Sequence, residues 1–338
     1  MKGVLLVNLG SPDSPSPKDV KKYLKEFLMD ERVIDTNIIM RNILVKGIIL
    51  NTRPKESAKA YQKIWWEDGS PLIVISEKFH KKVQAKATIP VELGMRYGSG
   101  NIKEGYEKLH AKGVTEVLLV PLYPHYAMSS FETVVEKAKE VEQKFFPTMK
   151  TEVLPAFYNQ PDYIKVMSTN IQNHLKGFDY DHILFSYHGI PERHILKSDT
   201  TKSHCKLDGS CCETASKAHA TCYRHQCFET TKEIAKLLNL KEGSYSNSFQ
   251  SRLGRDPWLK PYTDFEFERL PQEEGKKHMA VITPAFVSDC LETLEEIAME
   301  GEEQFKEGGG KTYKHIPCLN ENEDWVDVMC NWIEDWKN

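Results

Sequence analysis

Short apolar runs that stop abruptly in glycine- or proline-containing loops, with amphipathic stretches between them, recur along this whole 338-residue chain. The runs Gly3–Leu9, Pro90–Met95, Thr115–Pro121, Thr151–Leu154, Ile183–His188, Ser244–Phe249, His278–Thr283 and Lys311–Ile316 read as strands. Near-continuous apolarity marks strands buried on both faces. Helical patterns fall between them at Pro17–Met29, Lys59–Trp65, Ile102–Lys112, Phe131–Lys144, Asp162–Leu175, Tyr223–Leu238, from Pro284 to about Phe305, and at Glu323–Trp336. Alternation of this kind predicts parallel sheets joined by right-handed crossovers. The length suits about two domains. The expected fold is therefore α/β, with two Rossmann-like domains, each a parallel sheet flanked by helices, and a cleft between them. Residues 1–157 form the first and 158–338 the second, with the terminal helix packing back across the domains.

Polar, glycine- and proline-rich loops follow the strands at Leu9, Met95, Pro121, Tyr187, Phe249 and Thr283. In open α/β sheets ligands bind outside the carboxyl ends of the strands, so these loops are where a site is expected. Neither a Gly-x-Gly-x-x-Gly fingerprint nor a phosphate-cradling loop is present, which argues against dinucleotides and nucleoside triphosphates. A net charge of −4 gives no electrostatic footprint for nucleic acid. No apolar run approaches the roughly 18 residues that span a bilayer. The chain enters a strand at Gly3, leaving no room for a secretory leader, so a reducing cytoplasmic location is expected. There, clustered cysteines read as metal ligands or catalytic thiols rather than disulfides.

Four features carry chemistry. His188 stands where Ile183–Tyr187 leaves the sheet, before Gly189-Ile190-Pro191. Near neutral pH its imidazole can accept a proton or bind a divalent metal. Glu292, Glu296 and Glu300 are spaced four apart on one helical face. Such acids ordinarily form a solvated face, with Glu295, Glu302 and Glu303 beside them; as ligands they would be hard oxygens for a divalent cation. Cys205, Cys211, Cys212, Cys222 and Cys227 lie within 23 residues. Four thiols suffice for an iron–sulfur cluster or a structural zinc. Adjacent Cys211 and Cys212 should point differently, so one of them is expected to ligate, with His204, His219 and His225 as possible substitutes. Lastly, Tyr123, Tyr126, Trp258 and Phe286 in these loops would suit a flat apolar ligand. The apolar residues of Val33–Leu50 recur near helical spacing. They are expected to pack internally; the alternative is an exposed helix at a membrane surface or pocket lip, with Arg41, Lys46 and Arg53 at its rim.

Ser186-Tyr187-His188-Gly189-Ile190-Pro191, Ser288-Asp289-Cys290-Leu291-Glu292-Thr293-Leu294 and Pro121-Leu122-Tyr123-Pro124-His125-Tyr126 resemble ferrochelatase motifs. So do Asn8-Leu9-Gly10-Ser11-Pro12, Tyr61-Gln62-Lys63-Ile64, Gly69-Ser70-Pro71-Leu72 and Pro257-Trp258-Leu259-Lys260-Pro261, in order along nearly the whole chain. The resemblance implies a lyase that inserts Fe²⁺ into protoporphyrin IX, the last step of haem formation. It implies His188 and Glu292 as the catalytic pair, with Glu296 and Glu300 continuing a row toward the substrate iron. Arg96, Tyr126, Trp258, Lys63 and Tyr123 would contact the porphyrin. Residues 33–53 would be the lip through which it enters, with peripheral membrane contact through 33–50. Residues 199–227 resemble the internal segment by which some bacterial members hold a [2Fe–2S] cluster, zinc being the alternative. Two positions depart from relatives: Cys290 stands where many members have a second histidine, and Lys63 where some have arginine. The rivals are a coproporphyrin, sirohydrochlorin or cobalt chelatase and, outside enzymes, a tetrapyrrole- or metal-binding redox sensor.

Overall fold

The computed structural model describes residues 1–254 and 256–338. Strands β1 (Lys2–Asn8), β2 (Val91–Met95), β3 (Glu116–Pro121) and β4 (Lys150–Val153) form one sheet, ordered β2-β1-β3-β4. Strands β5 (His182–His188), β6 (Tyr245–Gln250), β7 (His278–Ile282) and β8 (Thr312–Ile316) form another, ordered β6-β5-β7-β8. Every neighbouring pair is parallel. The two sheets share one winding: the first strand is central, the second lies on one side, and the third and fourth on the other. The winding reverses between β1 and β3 and between β5 and β7, which is where ligands enter such sheets. β5 owes its central place to composition, since Ile183, Leu184, Phe185 and Tyr187 are fully buried.

The chain divides into two compact units. One comprises Met1–Tyr123, Met128–Pro155 and Asn320–Asn338; the other Pro124–Ala127 and Ala156–Leu319. The terminal helix Glu323–Lys337 thus belongs with the first unit. There Trp325 stacks on Phe79 at 5.8 Å, and Lys86 bonds Glu323 and Asp327. Burying Phe79 alone contributes about 1.5–3 kcal/mol. Phe79 belongs to a helix that hydropathy does not reveal, Pro71–Lys86. It starts at a proline in the first helical position, but its run Leu72-Ile73-Val74-Ile75 carries no 3.6-residue stripe.

The segment 33–50 overturns the expectation of internal packing. Helix Ile38–Asn42 runs through a π-helical stretch, Ile43–Ile49, into helix Leu50–Ile64. Val45 and Leu50 are buried against Leu28, while Ile38, Ile39, Met40, Ile43, Leu44 and Ile48 are exposed, Ile39 to 69%. Lys46 and Arg53 are exposed beside them, but Arg41 is not at the rim. It is buried, and its guanidinium donates to the carbonyls of Met29, Ile34 and Thr36. No described helix is long and apolar enough to cross a membrane.

Candidate active site

His188 is the last residue of β5, at the reversal of the second sheet. Its Nδ1 lies 2.7 Å from the Gly189 carbonyl oxygen. A carbonyl only accepts, so Nδ1 carries the hydrogen and Nε2 keeps its lone pair. The ring meets Phe286 edge-on at 6.3 Å, and the His188 carbonyl accepts from the Tyr223 hydroxyl at 2.8 Å. Gly189 allows the chain to close tightly here. A Cβ at that position would lie 2.7 Å from the Gln250 carbonyl oxygen and 3.2 Å from the Trp258 ring. Trp258 itself is held by a bridge to Pro191, flanked by bonds from Leu259 N–H to the Ile190 carbonyl and from Glu192 N–H to the Pro257 carbonyl.

Gln250 links the histidine to the acids. It is the register partner of His188 in β6, and its side-chain oxygen accepts from Ser186 at 2.9 Å. Its side-chain nitrogen donates to the Glu292 carbonyl at 3.1 Å. The loop after β7 delivers Glu292. Buried Asp289 accepts from Thr293 Oγ1 at 2.8 Å and from the Cys318 N–H at 3.3 Å, which pins the start of the helix. Residues Glu292–Glu300 then wind as a π-helix, a geometry that recurs at functional sites.

None of Glu292, Glu296 and Glu300 is fully exposed, and Glu295, expected on the solvated face, is buried. Burial pushes the Glu296 carboxyl up to about 7, although Ser251 Oγ donates to it at 2.6 Å and the Ser251 N–H and Gln250 amide also favour its charged form. Ser251 holds this position at φ +67°, a left-handed backbone uncommon outside glycine. A pocket of about 210 Å³ lined by Gln250, Ser251, Arg252, Asp264, Glu296 and Glu300 adjoins the row. Next to Glu292, the buried Cys290 thiol hydrogen-bonds its carboxylate. Burial, then the Glu292 charge, push that thiol well above its ordinary range. Gln250 and Ser251 were not singled out as site residues by sequence reasoning, their position at a strand's carboxyl end being the available signal, and Cys290 stood out only as a departure from relatives.

The remaining expected contacts divide between the units. In the first, Arg96 leaves β2 and its guanidinium is engaged by Asp30 and by the Thr133 carbonyl and hydroxyl oxygens, so it braces the turn before the lip. Tyr123 is buried after β3, and Lys63 is exposed on helix Leu50–Ile64. In the second, Tyr126 is half-buried, and its N–H donates to Gln226 Oε1 at 2.7 Å.

The cysteine segment sorts its thiols. Cys205 bonds Cys211, and Cys212 bonds Cys222, so both members of the adjacent pair face another thiol. The hydrogen bond from Cys212 draws Cys222 down to about 7 and pushes Cys212 up. Cys227 is different: it is fully buried and hydrogen-bonds Tyr223. The three histidines are turned to backbone, His204 and His219 to the Cys211 carbonyl and His225 to the Cys212 carbonyl. A cavity of about 1120 Å³ lies here, larger than the pocket at the acidic row. Among the described residues, no three of His, Cys, Asp and Glu form a ready ligand set for a single metal ion.

The family model for ferrochelatase matches residues 1–336. A ferrochelatase of Opitutus terrae is 47% identical over 338 residues, covering 99% of this chain and 97% of its own. One of Pseudomonas fluorescens (strain Pf0-1) is 46% identical over 333 residues, covering 98% and 97%. Among solved structures, SirB from Bacillus subtilis with Fe³⁺ aligns with a TM-score of 0.54 at 12% identity, over 99% of this chain and 94% of that one, a likeness of fold alone. The full-length match, with the two parallel sheets and the histidine and acids at a strand-end reversal, gives one conclusion: the chain belongs to the ferrochelatase family.

Proposed function

We propose that this chain inserts Fe²⁺ into protoporphyrin IX with His188 as proton acceptor and the Glu292–Glu296–Glu300 row as the path for iron or protons. Two pyrrole N–H protons leave the macrocycle as the metal enters, so the reaction needs a base with an available lone pair. His188 Nε2 supplies one, because the Gly189 carbonyl holds the hydrogen on Nδ1. The observation that carries the reading is Gln250: paired with His188 and bonded to Glu292, it holds both at one strand end. Glu296, raised to about 7, is suited to take a proton onward from Glu292. Trp258 and Phe286 offer aromatic faces beside His188, against which a porphyrin ring could be gripped and bent. Membership of an enzyme family sets aside the non-catalytic sensor. The exposed isoleucines of the lip favour protoporphyrin over its more acidic relatives, and the same patch, with Lys46 and Arg53, suits a lipid surface at the inner face of the membrane.

The experiment is anaerobic loss of protoporphyrin fluorescence on adding Fe²⁺. His188→Ala should abolish insertion while porphyrin still binds. A fully active variant would exclude His188 as the base, and turnover on coproporphyrin or sirohydrochlorin alone would reassign the substrate.

The thiols fit an appended [2Fe–2S] cluster held by Cys205, Cys211, Cys212 and Cys222, the four with thiol partners. Such a cluster would supply a redox-sensitive centre; Cys227 would take no part. Anaerobically purified protein should be coloured, and Cys227→Ser should keep the colour that Cys222→Ser loses. Colourless protein retaining zinc would assign the site to zinc.

A further inference from the structure

The helix Tyr223–Leu237 begins directly after Cys222, so its first turns are set by the cysteine segment. The same turns grip the candidate active site at two points. Gln226 is fully buried and its amide is divided between two clients. Its side-chain nitrogen donates to the carbonyls of His219, at 3.1 Å, and Ala220, at 3.0 Å, both lying between Cys212 and Cys222. Its oxygen accepts the Tyr126 N–H at 2.7 Å. One turn earlier, the Tyr223 hydroxyl donates to the His188 carbonyl. One turn later, Thr230 Oγ1 lies 2.8 Å from Nε2 of His125, which keeps the neighbour of Tyr126 in the same grip.

We propose that Gln226 and Tyr223 are positioning residues through which the folded cysteine segment sets the backbone at Tyr126 and His188. Resting on the reading of those two residues as substrate contact and base, the proposal gives the thiol segment a mechanical route to the site. No electron transfer between the two is required. Gln226, itself buried, bonds three backbone groups with one amide. When the 205–222 stretch loosens, the amide loses its footing on the two carbonyls and its hold on the Tyr126 N–H weakens. A buried amide so divided couples its clients because each bond orients the group for the others.

Gln226→Leu removes both sides of the link, Gln226→Glu keeps an acceptor for Tyr126 while weakening the hold on the segment, and Tyr223→Phe removes only the hydroxyl. Hydrogen–deuterium exchange should rise in Gln226→Leu across both 124–127 and 205–222. The KM for protoporphyrin should rise on the order of tenfold, as for loss of one buried hydrogen bond, with a smaller change in kcat. Gln226→Glu should loosen 205–222 more than 124–127. Tyr223→Phe should lower kcat with KM held. Ile234→Val, which trims a buried side chain about two turns beyond Gln226 in the same helix, should lower Tm without moving KM. Unchanged exchange at 124–127 in both Gln226 variants would overturn the coupling. Unchanged KM in Tyr126→Ala would instead overturn the substrate contact, leaving exchange to judge the link. If Gln226→Leu does not fold, Gln226→Glu and Tyr223→Phe decide.

Discussion

The lip and the acidic row are both π-helical, and they partition their side chains in opposite and equally unfavourable ways. Ile43–Ile49 turns Ile43, Leu44 and Ile48 to solvent, whereas Glu292–Glu300 encloses acids, Glu295 among them. Folding alone favours neither: exposed apolar area forgoes burial, and an enclosed carboxyl resists ionisation. Each arrangement supplies half of what iron insertion into a hydrophobic macrocycle needs, an apolar surface for the ring and carboxylates for charge. Both departures from what folding alone selects are the kind that functional surfaces carry.

The comparison can be broken most severely at Glu292. Replacing it with Gln keeps the shape and removes the charge, and insertion measured by porphyrin fluorescence should fall about 100-fold or more. A rate within a few-fold of the parent would reduce the row to decoration. At Glu296 the readout is stability. Raised from 4.5 to about 7, its carboxyl holds a proton in the folded chain that the unfolded chain releases near 4.5. Stability therefore falls as pH rises through that window, and the full penalty applies above about 7. Glu296→Gln should gain on the order of 1–3 kcal/mol over the parent at pH 8 and nothing below pH 4.5, read from urea midpoints. A gain independent of pH would show that enclosure of the charge is not the cause. The smallest expected effect on folding is at the lip. Ile39→Asp and Leu44→Asp should change stability by no more than about 0.5 kcal/mol. The same pair should release the protein from anionic vesicles in co-sedimentation; retained binding would mean that lipid is not what covers the patch.

Much of this could be read from residues. Strand ends at Asn8, Pro121, His188 and Ile282 were legible because buried parallel strands are short, apolar and cut off by glycine or proline. The position of His188 at the end of β5 was legible for the same reason, and that of Glu292 as the start of the helical stretch after the loop that follows β7. The lip was misjudged because periodicity shows that a face is apolar and not what it meets. The π-winding left no mark, since carboxylates four apart share a face in an α-helix too. Gln250 and Ser251 were silent because an amide and a hydroxyl acquire their role from the partners a fold brings, and one of those partners lies on another crossover. Arg96 shows the same limit, because sequence does not show Asp30 arriving beside it.

Arg41 changes what the lip can withstand. In water the carbonyls of Met29, Ile34 and Thr36 could bond solvent; its guanidinium already holds all three. In a hydrocarbon or against a porphyrin face, any backbone oxygen left bare costs several kcal/mol. With these oxygens capped from inside, the turn leading to the exposed isoleucines can be stripped of water without exposing them. The residue expected to mark the lip's polar edge is instead what makes the lip fit to be dehydrated.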